Sequence, residues 1–363
     1  MRNIDFIKQP WLKVERFILH LCYLAIRKYI KSNPYPKKIK KILLIRRNRL
    51  GDSINVLPII EALKKKYPAI NISVLANQYN FEIFNYSAHA NQVYCINEKW
   101  GLGRITLYFN PIIRKLRHEN FDLVISLGGF ASILSQISFC IKGKYSVGPK
   151  SFKGNFNDLL FDLAVEKIKG KNKLHIDEMA NIVRHSKLRL PKNLPFPQLN
   201  ISCSDKNDWL AICPDVNRKE SRYSVENYKE IIQYVISKKV VEKVILFLGS
   251  PSSPYFKLTD FGAEYQATVN LKEFIEKIAQ CKIALTAAGG SSHIASSLNL
   301  SVVVISGIKN QSFWRPYGKS VKVFENDKNI NLIKPINVSK ALEDLSKKTK
   351  WRPLQELNLR PSP

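Results

Sequence analysis

Short apolar runs alternate with amphipathic helical runs through most of this chain, and the alternation happens twice. Residues 42–45, 72–75, 92–96 and 123–127 read as strands, separated by helical patterns such as 58–67 and 108–117. Apolar runs of four or five bounded by charge are the mark of strands buried on both faces, which belong to parallel sheets with helical crossovers. A helical stretch near 175–184 ends the first series. A Pro-rich segment at 190–200, LPKNLPFPQLN, reads as an interdomain linker. The alternation then restarts, with strands at 210–213, 244–248, 283–285 and 302–305 and helices at 225–237, 271–280 and 292–298. A closing helix is expected at 338–348 and a disordered tail at 351–363. The fold class is therefore α/β: two Rossmann-like, doubly wound domains facing a cleft. Their expected bounds are 39–190 and 207–350, joined by a linker at 191–206 and preceded by an extension at 1–38.

With 363 residues, 45% of them apolar, the chain can bury a full core, which argues against disorder. The cysteines Cys22, Cys95, Cys140, Cys203, Cys213 and Cys281 are scattered, with no CxxC and no nearby histidines. Neither a disulfide framework nor a zinc site is indicated; no metal or cofactor is expected, and a reducing cytoplasm is the simplest location. The charge is the outlying property: 58 basic against 29 acidic residues leave +29, which favours polyanionic partners. No nucleic-acid recognition motif accompanies it, and no nucleic-acid partner is expected.

The N-terminus favours an anionic membrane surface instead. Between Pro10 and Asn33, the residues Val14, Phe17, Ile18, Leu21, Leu24 and Ala25 recur at helical spacing, opposite Lys13, Arg16, His20, Arg27 and Lys31. The longest apolar run is roughly ten residues, about half of what a bilayer span needs. Such an amphipathic helix either lies on a membrane or docks on the protein's own core. The polybasic Lys37, Lys38, Lys40 and Lys41 favour the membrane. Charged residues within the apolar stretch and the lack of a small-residue cleavage site argue against a signal peptide.

Two segments carry chemistry. In KILLIRRNRLGDSINVLP, at 41–58, a buried strand runs into a basic turn ending at Gly51-Asp52, and 54–66 has the period of a helix. Asp52 is a candidate base or an N-cap for the following helix, and the two roles can coexist. Arg46, Arg47 and Arg49 keep it ionised and suit the phosphates of an anionic substrate, or are simply solvated. In the second segment, at 283–307, a strand ends at Gly289-Gly290 and a helix begins near Ser291 or Ser292, with His293 in its first turn. Glycines that admit a ligand to the backbone, followed by a helix N-terminus, favour a phosphate; a plain turn with a capping serine gives the same pattern.

Taken in order, these segments resemble glycosyltransferase family 9, which contains the lipopolysaccharide heptosyltransferases. The resemblance rests on KILLIRRNRLGDSINVLPIIEALKKKYP at 41–68, FDLVISLGG at 121–129, HIDEMANIVRH at 175–185, the Gly-Gly-Ser-Ser-His segment, and WRPYG at 314–318. It implies a GT-B architecture, with a nucleotide-sugar donor such as ADP-heptose held by the C-terminal domain. A lipopolysaccharide or related glycolipid acceptor is presented to the N-terminal domain, at the inner face of the cytoplasmic membrane. It also implies inverting transfer without an essential metal, with which the absence of a DxD dipeptide agrees.

Asp52 would then be the general base, and Gly51, Arg46, Arg47 and Arg49 would meet the acceptor. Gly289, Gly290, Ser291, Ser292, His293, Lys219 and Arg222 would meet the donor. The chain departs from the family in three places: Ser221 stands on a lysine, although Tyr223 keeps the aromatic that follows it, Ala288 stands on an aspartate, and no acid occurs in 250–253. A member that binds a nucleotide sugar or glycan without transferring it is the alternative.

Overall fold

A computed structural model describes Leu21 and residues 32–47, 49–97, 104–128, 131–151, 155–168, 173–201, 206–216, 218, 221–308 and 311–348. The N-terminal amphipathic stretch, apart from Leu21, lies outside the described residues, as do Lys219 and the tail at 351–363. Between Asn200 and Ile201 the chain divides into two compact units, with Ser312–Trp314 belonging to the first.

The first unit is built on β1 (Lys41–Ile45), β2 (Asn71–Asn77), β3 (Gln92–Ile96), β4 (Leu123–Ser126), β5 (Tyr145–Pro149) and β6 (Leu163–Val165). They form one six-stranded sheet in the order β3-β2-β1-β4-β5-β6, parallel at every pairing. The second unit carries β7 (Asn207–Cys213), β8 (Lys243–Leu248), β9 (Ala263–Ala267), β10 (Cys281–Ala287), β11 (Ser301–Ser306) and β12 (Val321–Glu325). Its sheet, β12-β11-β10-β7-β8-β9, repeats the same winding. Each sheet reverses its strand order beside its first strand, between β1 and β4 and between β7 and β10. Beyond the carboxyl ends of strands at such a reversal, the crossovers diverge and leave room for a ligand.

The strands legible in the sequence are the central ones. Ile42, Leu43, Leu44 and Ile45 of β1 are wholly buried, as are Val302, Val303, Val304 and Ile305 of β11. The peripheral strands β5, β6, β9 and β12 were not expected. β9 and β12 are only partly buried (AEYQA, VKVFE), so polar residues interrupt the apolar run that marks a strand.

Helices also break where one was expected. The stretch 54–66 is two helices, Leu50–Ile54 and Leu57–Lys66, and Pro58 sits in the first turn of the second, where its missing N–H is not needed. The stretch 108–117 splits into Arg104–Phe109 and Pro111–His118. Asn110 caps the latter, its Oδ1 accepting from the backbone N–H groups of Ile112 (3.0 Å) and Ile113 (3.4 Å).

Candidate active site

In the first unit, chemistry gathers where the strand order reverses. The chain leaves β1 at Arg46 and turns through Arg49, whose φ of 55° and ψ of 102° are unusual for a side-chain-bearing residue. It then enters the Leu50–Ile54 helix. Asp52 is the third residue of that helix, and the N-cap is Arg49, without a side-chain cap. The expected capping role of Asp52 is thus ruled out, which leaves its carboxylate free to be aimed elsewhere.

It is aimed into a buried constellation. One Asp52 oxygen, Oδ2, accepts a short hydrogen bond from Arg46 Nη2, and the Arg46 Nη1 donates to the Leu127 carbonyl at 2.6 Å, linking the end of β1 to the end of β4. The other, Oδ1, lies 3.1 Å from His175 Nδ1, an ion-pair distance off the line of a full hydrogen bond. His175 opens the His175–His185 helix, is buried, and has its ring against Trp314 (centroids 4.8 Å apart) and Phe313 (5.6 Å). Below, Asn80 donates to the Arg46 carbonyl (3.1 Å) and to Ser53 Oγ (2.7 Å), which fastens the turn to the end of β2.

Burial alone would raise the Asp52 pKa. The close His175 ring and the Arg46 guanidinium, with Arg49 behind them, outweigh it and bring the pKa down to about 2. Burial pulls Arg46 down, more than Asp52 pulls it back up. The two partners therefore do not gain equally, and the pair is worth less to the fold than the Asp52 shift alone suggests.

Arg46, expected to meet acceptor phosphates alongside Arg47 and Arg49, is corrected by this geometry. It is 2% exposed, with both guanidinium ends engaged, so it cannot reach a ligand. Arg49 is exposed, its guanidinium 5.8 Å from the Trp314 ring centre, and Arg47 is half-buried. Gly51 is half-buried within the helix.

Gly128, in the FDLVISLGG run, packs against this constellation. Its φ is +70°, and a Cβ placed on it would stand 2.6 Å from Arg46 Nη1 and 3.7 Å from the His175 ring. Gly128→Ala should therefore displace a pinned guanidinium as well as strain the backbone. We expect a loss of about 1–3 kcal/mol, read by urea denaturation.

In the second unit, β10 ends at Ala287 and the Gly290–Ser297 helix follows directly. Its N-cap is Gly289, in extended conformation and without a side-chain cap. The capping serine is thereby corrected: Ser292 instead donates its hydroxyl back to the Gly289 carbonyl at 2.7 Å. The space around Gly289 is open, with no heavy atom within 4 Å of where a Cβ would stand. The first helical amides, at Gly290 and Ser291, thus adjoin room for an anion. His293 is buried in the first turn.

Arg222 is exposed, its Nε 3.5 Å from the Val216 carbonyl. Tyr223, set on the family's aromatic, is core: it is 1% exposed and its hydroxyl donates to the Ile333 carbonyl at 2.6 Å. Gly318 of WRPYG lies against this helix so closely that a Cβ would meet Ser296 Oγ at 1.9 Å. Among the described residues no cluster of His, Cys, Asp and Glu could hold a metal ion.

A family model described as glycosyltransferase family 9 (heptosyltransferase) matches residues 110–334, a span that begins after Asp52. A curated relative, lipopolysaccharide heptosyltransferase 3 of Escherichia coli (strain K12), is 35% identical over 79 residues. That stretch is 21% of this chain and 23% of the relative, so the match spans about a quarter of that protein.

Among solved structures, the family 9 glycosyl transferase of Veillonella parvula DSM 2008 has a TM-score of 0.75 at 16% identity, covering 88% of this chain and 99% of that one. The ADP-heptose LPS heptosyltransferase II of E. coli has a TM-score of 0.69 at 19% identity, covering 85% and 99%. The E. coli heptosyltransferase WaaC, solved with ADP, has a TM-score of 0.70 at 16% identity, covering 84% and 99%. At these identities the structures establish a shared fold.

Proposed function

Because the chain belongs to glycosyltransferase family 9, whose model spans residues 110–334, we propose that it is an inverting glycosyltransferase with Asp52 as general base. It moves a heptose or related sugar from a nucleotide donor, ADP-heptose first among the candidates, to the lipopolysaccharide core or a related glycolipid. The observation that carries this reading is Asp52 itself: a carboxylate at the carboxyl end of β1, beside the reversal of strand order, held ionised by Arg46 and His175.

In the reaction the acceptor oxygen bonds to the anomeric carbon on the face opposite the nucleotide, and its proton passes to Asp52. The bond from the anomeric carbon to the diphosphate breaks, and its electron pair leaves with the nucleotide. A carboxylate with a pKa of about 2 is a weak base, so it takes the proton late, once the new carbon–oxygen bond has made the hydroxyl acidic. His175, against the second carboxylate oxygen, fixes the direction in which the base is presented. In the second unit the amides at the start of the Gly290–Ser297 helix, with Arg222 and Lys219, stabilise the charge on the departing diphosphate.

No helix among the described residues is long and apolar enough to cross a membrane. The basic stretch at 11–31 and the net charge of +29 support work on a lipid-anchored acceptor at the anionic inner face of the cytoplasmic membrane.

The test is transfer by the purified protein from a panel of nucleotide sugars onto truncated lipid A-core acceptors, followed by mass. A product from one donor is expected. Nucleotide binding without product from any donor would instead favour a non-transferring family member, consistent with Ala288 and with the lack of an acid in 250–253.

A further inference from the structure

A face of the first unit that the transfer chemistry leaves unused sets exposed aromatic rings among cations. Phe109, at the end of the Arg104–Phe109 helix, is 64% exposed, and Phe139, near the end of the Ala131–Ile141 helix, is 56% exposed. Tyr108 joins them. The Arg117 guanidinium lies 4.1 Å over its ring, and the same side chain donates through Nε to the carbonyl of Cys140, next to Phe139. Lys142 Nζ is 5.9 Å from the Tyr108 ring centre. Lys142 also lines, with Phe139 and Lys144, a cavity of about 690 Å³ that Ser32 and Asn33 share.

The charge of this face is positive. Arg114, Lys115, Arg117 and Lys142 make no ion pair among the described residues. Of the nearby carboxylates, Asp122 is paired with Lys144 (2.7 Å) and Glu119 with Lys41 (3.2 Å), while Asp158 and Asp162 are held by hydrogen bonds, Asp162 from the backbone N–H of Asn33 (2.7 Å) and Asp158 from that of Ser151 (3.1 Å). Exposed Phe and Tyr rings flanked by long cationic side chains suit the boundary of an anionic bilayer, where the rings sit at headgroup depth and the cations meet lipid phosphates.

The basic stretch at 11–31 is continuous in sequence with Ser32 and Asn33, which line the cavity. The cations of that sequence and those of the face share one sign, which favours a common anionic partner.

We propose that the face formed by Tyr108, Phe109, Phe139, Arg114, Arg117 and Lys142 docks the folded body of the first unit on an anionic lipid bilayer. The inference rests on the reading of this chain as a transferase with a lipid-anchored acceptor. Phe139 and Lys142 stand at the end of their helix away from Gly128, roughly 15 Å along its axis. Docking there holds Asp52 away from the headgroups, which suits an acceptor hydroxyl displayed several sugars out from its lipid.

The test is sedimentation of the full-length protein with vesicles of phosphatidylethanolamine and phosphatidylglycerol, and with neutral phosphatidylcholine vesicles. Two variants are compared with wild type: Phe109→Ser/Phe139→Ser/Lys142→Glu, and Lys13→Glu/Arg16→Glu/Arg27→Glu/Lys31→Glu. Transfer to a lipid-free core oligosaccharide is measured in parallel. The face variant is expected to lose about tenfold in partition onto the anionic vesicles while keeping its transfer rate on the lipid-free acceptor. Sedimentation of that variant like wild type, with binding lost only in the N-terminal variant, would overturn the proposal, and so would equal binding to neutral vesicles. Loss of vesicle binding in a protein that transfers no sugar even as wild type would uphold the face and overturn the functional reading instead.

Discussion

Asp52→Asn is expected to lower kcat by about a hundredfold to ten-thousandfold, the range that a positioned general base contributes. The fold should survive. The Asn carbonyl can still accept from Arg46 Nη2, and its amide can donate towards His175 Nδ1, so both neighbours keep a polar partner. What is lost is the ability to take a proton, together with the stability that the carboxylate's charge gives beside the buried Arg46 guanidinium. Nucleotide binding, which the proposed function assigns to the other unit, should change less than about twofold, so the loss should appear in kcat and kcat/KM together. Transfer assays with the wild type and the variant at saturating donor decide it. A folded Asp52→Asn protein that transfers at the wild-type rate would reduce Asp52 to a structural acid. Because the carboxyl titrates near 2, lowering the pH from 7 to 5 should not switch the wild type off through this group.

The sequence exposed this residue, but not its surroundings, and the reason is physical. An apolar run such as 42–45 is legible because a strand buried on both faces has no room for polar side chains. The Gly-Asp turn beyond it is legible because it interrupts that run. The same logic placed the turn at Gly289-Gly290. Peripheral strands such as β12, VKVFE, keep polar residues towards solvent and lose the signature.

Arg46 is hidden from a sequence reading for a related reason: next to Arg47 and Arg49 it reads as one of three cations that meet a phosphate or solvent. Only the parallel pairing of β1 with β4 shows that its side chain is enclosed and that the Leu127 carbonyl is there to receive it. From its sequence His175 reads as an interdomain or acceptor-side residue, or equally as a helix-capping or surface histidine, whereas it is buried. Its contact with Asp52 depends on the winding of the whole unit, which local spacing does not encode. Gly128 has the same character: its need for a bare Cα comes from a guanidinium anchored far away in sequence.

Arg46→Met is expected to destabilise the first unit by about 3–5 kcal/mol, because it strands the Asp52 carboxylate in a buried site and leaves the Leu127 carbonyl without its donor. Adding Asp52→Asn should recover a large part of that loss, since the charge that the guanidinium neutralised would be gone as well. A urea-denaturation cycle of the two singles and the double measures the coupling. The pH dependence carries a sign that separates this account from simple loss of packing. The folded pKa of Asp52, about 2, is below its ordinary value near 4, so the stability linked to its ionisation is present above pH 4 and is lost as pH falls towards 2. A shift of that size is worth about 2–3 kcal/mol at neutral pH, partly offset by the burial of Arg46. The gap between wild type and Arg46→Met should therefore narrow as pH falls from 4 towards 2, whereas a packing defect would cost the same at both. A gap independent of pH would mean that Arg46 holds the turn by shape and by its bond to Leu127, and that its charge does not set the state of Asp52.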